Sequence, residues 1–293
     1  MILIADGGST KTSWCVIDSV QERSYFETEG YNPYFVSSEY IIASLTRKLP
    51  AGLNPSDIRG IYFYGAGVQN ESKAKVIKDA LGDIFLNSVV FVGHDLLASA
   101  RALLGVNSGF AAILGTGTNS CLYNGKNITH HIDSGAHILG DEGSGFYIGK
   151  KLLIDYIRGQ MPVEISASFK EIYQLTVDDI HEAVYSKPLA NRYCAGFSRF
   201  INDANLSNTY VRDVVKSSFD DFFRKIVSRY PKYEDYTFNC VGSVGYSFSG
   251  ILTEVAKEWG MEVGKIIKTP LPDLVNYHMI EGSLTGFGTN VAS

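Results

Sequence analysis

Two short glycine- and hydroxyl-rich stretches carry the residue types from which phosphate sites are built. The first, Asp6-Gly7-Gly8-Ser9-Thr10-Lys11-Thr12, follows an apolar run over residues 1–5 and precedes a strand-like run over 13–17. The second, Gly115-Thr116-Gly117-Thr118-Asn119-Ser120, lies between the apolar segments 110–114 and 121–123. Glycines let backbone N–H groups approach an anion closely, and Ser and Thr hydroxyls add donors. One such turn is common hairpin punctuation. The aspartate closing the first strand, Lys11 within the turn and the second copy together point to a phosphate clamped between two domains. Neither stretch is a P-loop, since no Gly-x-x-x-x-Gly-Lys-[Ser/Thr] occurs. No Gly-x-Gly-x-x-Gly follows a strand and opens a helix, which argues against a dinucleotide site.

The elements that must position these turns are legible in outline. Apolar patterning predicts helices over 37–49, 73–81 and 96–104 and strands over 58–64 and 88–92, an order that fits an α/β domain with a mixed sheet. The hairpin near 110–123 restarts the pattern. Residues 137–145 open a helix running to about 156, and 165–230 read as mainly helical. Phe219, Phe222, Phe223, Ile226, Val227 and Tyr230 recur at helical spacing, a stripe that reads as core or dimer contact rather than a ligand box. A strand over 236–241, a tight loop Gly242-Ser243-Val244-Gly245 and a helix over 247–259 follow. A short final helix begins at Glu281. With 293 residues the chain is long enough for two domains, joined by a compact hinge near 105–110.

Composition narrows the function classes. A net charge of −5 offers no basic surplus for nucleic acid or an anionic membrane. No apolar stretch approaches membrane-spanning length, and the run 1–5 meets Asp6 at once, so neither a spanning helix nor a signal peptide is expected. Cys15, Cys121, Cys194 and Cys240 are far apart and read as buried thiols of a cytoplasmic protein; the six histidines show no metal spacing.

The ordered set Asp6-Gly7-Gly8-Ser9-Thr10-Lys11-Thr12, Asp95, Gly115-Thr116-Gly117-Thr118, Gly140-Asp141-Glu142-Gly143-Ser144 and Gly242-Ser243-Val244-Gly245 resembles the actin/Hsp70/sugar-kinase fold. Within it the likeness is to the N-acetylglucosamine kinase and BadF/BadG ATPase branch, over nearly the whole chain. The Gly140–Ser144 stretch is the most branch-specific part. The resemblance implies an α/β protein of two ribonuclease H-like, actin-like ATPase domains, mixed sheets flanked by helices, with a cleft between them. The domains would cover 1–109, with a returning helix at about 281–293, and 110–280. It implies ATP and Mg²⁺ as cofactors, an amino sugar as partner and a homodimer.

Phosphoryl transfer needs an acceptor oxygen in line with the γ-phosphate and charge neutralisation, with little covalent chemistry from the protein. From position alone, Asp95 at a strand-to-helix junction reads equally as a general base or as a helix N-cap; the resemblance implies the base. It implies further that Asp6 holds Mg²⁺ and that Gly7, Gly8, Ser9, Thr10 and Lys11 contact the β- and γ-phosphates, as do Thr116, Gly117 and Thr118. Gly242, Ser243 and Gly245 would serve the adenosine. Asn32, Gly65, Ala66, Gly67, Asp95 and Asp141 would line the sugar pocket. The expected activity is transfer to the 6-hydroxyl of an N-acetylated amino sugar, foremost N-acetylglucosamine. Animal members of the branch carry a tryptophan shortly before the histidine that precedes the Gly-Asp-Glu-Gly-Ser motif, whereas this chain reads Ser134-Gly135-Ala136-His137. That leaves room for N-acetylmuramic acid; glucosamine is a further acceptor. Two other classes stand beside these: a BadF-type ATPase activator holding an iron–sulfur cluster on cysteines, and a sugar sensor without chemistry.

Overall fold

The computed structural model describes residues 1–8, 11–203 and 209–280. The expected final helix from Glu281 lies outside the described residues, as do Ser9 and Thr10. The described residues form two compact units, one including 1–106, 125–127 and 270–280, the other 107–124 and 128–269.

In the first unit, strands β1 (Ile2–Gly7), β2 (Lys11–Ile17) and β3 (Arg23–Glu29) form an antiparallel meander. Helix α1 (Ser38–Lys48), β4 (Gly60–Gly65), α2 (Glu71–Ile84), β5 (Val89–His94) and α3 (Asp95–Leu104) follow. The sheet order is β3-β2-β1-β4-β5, with β1, β4 and β5 parallel. Alternation along the strands sends Leu3, Ala5, Trp14, Val16, Ile61 and Phe63 to one core with α1 and α2. Trp14 is fully buried, stacks on Phe26 at 5.7 Å and donates from Nε1 to Thr28 Oγ1 at 3.0 Å. Strand β3 escapes a periodicity reading because most of its side chains are exposed; pairing with β2, not a buried stripe, holds it in place.

The second unit repeats the plan. Strands β6 (Ser108–Leu114), β7 (Thr118–Asn124) and β8 (Ile128–His131) form its meander. Helices α4 (Ala136–Leu139), α5 (Gly145–Ile157), α6 (Val163–Tyr173), α7 (Val177–Tyr185), α8 (Ala190–Gly196), α9 (Ser198–Asp203) and α10 (Thr209–Lys225) come next. Then follow β9 (Phe238–Val241), α11 (Ser243–Ser247), α12 (Ser249–Glu258) and β10 (Val263–Ile267). The order β10-β9-β6-β7-β8 mirrors the first sheet strand for strand. The expected α/β architecture of two mixed, helix-flanked sheets is therefore present. The aromatic stripe from Phe219 to Tyr230 does not stay on one helix: α10 ends at Lys225 and a single 3₁₀ turn carries Val227. All six stripe residues are buried in the core of this unit. A last helix, α13 (Leu271–Ile280), belongs to the first unit and packs on α3.

Candidate active site

In the first unit the parallel strands end on one level, because Gly7 pairs with Gly65 and Gly65 with His94. The segments after β1, β4 and β5 therefore leave from the same edge, the carboxyl edge where open α/β sheets bind ligands. Gly7 and Gly65 are glycines because Phe63 lies beneath them: an added Cβ would come within 2.7 and 2.6 Å of its ring. The Ala66 N–H donates to the Gly7 carbonyl at 2.8 Å, tying the two segments together. Gly67 has φ +83° and faces Asn32, whose Oδ1 would sit 2.3 Å from a Cβ there. The loop carrying Asn32 is held by Tyr34 N–H, which donates to Asn32 Oδ1 at 3.0 Å. Asn32, Gly65, Ala66 and Gly67 thus form one contiguous patch.

Alternation turns Asp6 to the opposite face from Ala5 and Gly7, the face on which α3 packs. There the Asp6 carboxyl is pushed up to about 7, first by burial and second by the charge of Asp95, with Lys11 opposing. Asp95 is the first residue of α3, but the helix is not capped by it: His94 occupies the N-cap position and its Nδ1 accepts from Leu96 N–H at 3.0 Å. The N-cap alternative for Asp95 falls, and its carboxylate is free of that duty.

Lys11 is corrected. It opens β2, and its ammonium is paired across the sheet with Glu27 Oε1 at 2.5 Å on an exposed surface rather than held over the turn. Strand alternation decides this, since Lys11 lies in register with Glu29, two residues from Glu27 on the same face of β3. Thr12, which the sequence did not single out, has a fully buried hydroxyl with no hydrogen-bond partner among the described residues and pairs with Gly7.

In the second unit three motifs close on one another. The turn after β6 is braced by the start of α5: Gly145 N–H donates to Gly115 O at 2.8 Å and Phe146 N–H to Thr116 O at 3.1 Å. Asp141 Oδ1 accepts from Thr118 N–H at 3.0 Å and Ser134 Oγ at 3.1 Å, and Thr118 Oγ1 donates to the Glu142 carbonyl at 2.7 Å. Glu142 is itself buried and pairs with Lys225 at 2.9 Å. Burial pushes the Asp141 carboxyl up, against the lowering effect of its Thr118 and Ser134 bonds. Gly242, at φ +132°, abuts Leu114, whose carbonyl would lie 2.3 Å from a Cβ.

Three of the expected site residues, Thr118, Gly245 and Asp141, have structural partners within this unit. Thr118 spends both donors inside the protein and so braces the turn, while Thr116 beside it is exposed. Gly242 leads directly into α11 rather than a tight loop, and Gly245 is a packing glycine: Cys240 Sγ would sit 2.6 Å from a Cβ added there. Asp141 belongs to the second unit, with Oδ1 engaged on Thr118 and Ser134. Removing it in Asp141→Ala strands a buried N–H, so unfolding free energy should fall by about 1–3 kcal/mol. Chemical denaturation measures that loss, and nucleotide titration should show weaker binding from the loosened turn.

No protein-family model matches the chain. A solved structure from Porphyromonas gingivalis, provisionally named an N-acetylglucosamine kinase, is 40% identical with a TM-score of 0.90, over 96% of this chain and all of that one. This chain belongs to the N-acetylglucosamine kinase family. The N-acetyl-D-glucosamine kinase of Dictyostelium discoideum is 24% identical over 182 residues, a match that spans 57% of each chain and so just over half of that enzyme. A second structure with the same provisional name, from Chromobacterium violaceum, shares the fold at 13% identity with a TM-score of 0.67, over 94% of this chain and 98% of that one.

For a member of the N-acetylglucosamine kinase family the chemistry of the donor set can be tested directly. Among the described residues no group of three or more His, Cys, Asp or Glu side chains could hold a metal. Mg²⁺ needs no such cage, since it retains waters and takes one or two carboxylates plus phosphate oxygens. A carboxylate as hard to ionise as Asp6 holds a proton or a cation, which fits that role. The four cysteines are buried in separate elements, and burial pushes Cys121 up to about 12 and raises the other three. Buried, protonated thiols so dispersed do not make the thiolate set of an iron–sulfur cluster. Among the described residues no helix is long and apolar enough to cross a membrane.

Proposed function

We propose that the protein is an ATP- and Mg²⁺-dependent cytoplasmic kinase that transfers the γ-phosphoryl group to the 6-hydroxyl of an N-acetylated amino sugar, foremost N-acetylglucosamine. The observation that carries the reading is the pairing of Asp6 with Asp95 on one face of the first unit, at the strand edge that also presents Asn32, Gly65, Ala66 and Gly67. Asp95 takes the hydroxyl proton; Asn32 and the Gly65–Gly67 backbone orient the sugar. Asp6 would hold Mg²⁺ through water, and the cation supplies neutralisation of phosphate charge when bound. Gly7, Gly8, Ser9 and Thr10 serve the β- and γ-phosphates, Thr116 and Gly117 do so from the second unit, and Gly242 and Ser243 serve the adenosine. A homodimer and the domain division at about residue 109 belong to the same proposal.

The test is ADP release with Mg²⁺-ATP and glucose, glucosamine, N-acetylglucosamine, N-acetylmannosamine or N-acetylmuramic acid. Turnover with an N-acetylated sugar, absent in Asp95→Ala, is expected. Preference for N-acetylmuramic acid would shift the acceptor within the same class, consistent with the missing aromatic at 134–137. Silence with every sugar while ATP still binds would overturn the kinase reading in favour of a sensor. Gly67→Ala adds a Cβ into Asn32 at a positive φ. In steady-state kinetics it should raise the sugar KM about tenfold or more, as a lost positioning contact does, with the ATP KM nearly unchanged.

A further inference from the structure

The side chain behind Asp95 is the imidazole of His94, and the two are too close to be indifferent. His94 Nδ1 lies 2.8 Å from Asp95 Oδ1 and 3.0 Å from Leu96 N. Asp95 Oδ1 is buried and accepts no hydrogen bond among the described residues. A neutral imidazole carrying its proton on Nε2 accepts from Leu96 N–H with the one lone pair of Nδ1, and that lone pair then faces a carboxylate oxygen at contact distance. The arrangement becomes favourable when a proton stands between Nδ1 and Oδ1. On Nδ1 it is donated to Asp95 and the Leu96 N–H loses its acceptor; on Oδ1 it is donated back to the imidazole. The pair therefore has two proton arrangements, and the cap of α3 is tied to which of them is occupied.

Resting on the reading of Asp95 as the base, we propose that His94 is the positioning residue that receives the proton Asp95 removes from the acceptor hydroxyl. The step balances. The hydroxyl O–H bond breaks as the oxygen–phosphorus bond forms, the bond from the γ-phosphorus to the bridging oxygen breaks, and ADP leaves with that electron pair. The hydroxyl proton goes to the Asp95 carboxyl. Rotation about its Cβ–Cγ bond presents the protonated oxygen to Nδ1, giving a carboxylate and an imidazolium. The imidazolium returns to neutral by losing a proton to water. A route to water exists because His94 ends β5, the edge strand of its sheet, and its side chain is 29% exposed. Burial alone would lower the His94 pKa, yet the adjoining Asp95 carboxylate and its charge raise it overall, so the imidazole is a competent proton acceptor beside this carboxylate.

A capping role and a proton-accepting role separate by substitution. His94→Asn keeps an oxygen able to accept from Leu96 N–H but takes no proton. His94→Ala removes both functions and opens space for added imidazole. With the amino sugar that the wild type phosphorylates, His94→Asn should lower kcat about 10- to 100-fold, less than loss of the base itself, with the KM for sugar and ATP unchanged. Imidazole in the buffer should restore part of the kcat of His94→Ala in proportion to its concentration. A wild-type kcat in His94→Asn would show that His94 only caps the helix and overturn the proposal, as would a complete lack of imidazole rescue. Asp95→Ala is assayed alongside. If it is inactive while His94→Asn is fully active, only the His94 proposal fails; if it retains turnover, the base reading fails and the His94 proposal with it.

Discussion

Asp95→Asn should bind ATP as the wild type does and turn over about 10²–10⁴-fold more slowly, the usual worth of a positioned general base. The substitution preserves size, and α3 keeps its cap because that bond is made by His94 rather than by Asp95. The loss should therefore appear in kcat and in kcat/KM together, with thermal stability nearly unchanged. Steady-state kinetics beside a nucleotide titration separates the outcomes. A large rise in KM for the sugar with kcat intact would make Asp95 a binding residue rather than the base.

Asp6→Asn should give a protein that is inactive and, without divalent cation, more stable than the wild type at neutral to alkaline pH. The sign follows from the direction of the shift. Burial and the Asp95 charge raise the Asp6 carboxyl from 3.8 to about 7, so the folded state holds this proton more tightly than the unfolded chain does. The stabilising contribution is complete below about pH 4 and is lost as pH rises through about 7. The penalty above that is a few kcal/mol, at most about 4 kcal/mol at ~1.4 kcal/mol per pH unit. Denaturation of wild type and Asn variant at pH 5 and pH 8, free of divalent cation, isolates it as the difference between the two. Cation binding competes with the same proton, so Mg²⁺-nucleotide affinity of the wild type should weaken progressively below about pH 7. An Asn variant no more stable than the wild type at pH 8 would mean that Asp6 ionises without strain, and would remove the argument for a cation there. A carboxylate set against another is a poor choice for stability, and on the proposed reading it serves to hold a metal beside a base.

Much of the framework around the candidate site was readable from residue type and order. The β1–β2 and β6–β7 pairings stand where the chain pattern put them, because a glycine-rich stretch between two apolar runs leaves few alternatives. What failed to be read shares one cause. Lys11, Thr118 and Gly245 each lie within or beside a glycine-rich stretch, and sequence adjacency does not say which way a side chain points. Pairing with β3 draws Lys11 to Glu27, bonds to Asp141 and Glu142 consume the donors of Thr118, and the packing of β9 fills the space beside Gly245. The edge strands β3, β8 and β10 were missed for a related reason: much of their surface faces outward, so their identity comes from a neighbour's unpaired backbone rather than from an apolar period.

The linear order of residues sufficed for the α/β class, the two repeated hairpins, the absence of a basic surplus and the types of group available for phosphoryl transfer, since these follow from composition and local periodicity. Tertiary structure alone decided that the repeat extends to the full strand order of both sheets, that His94 rather than Asp95 caps α3, and that Asp6 and Asp95 share one face. Those outcomes depend on register between strands distant in the chain and on how much water each carboxyl loses. Both are set by packing across the sheet, which no single segment contains.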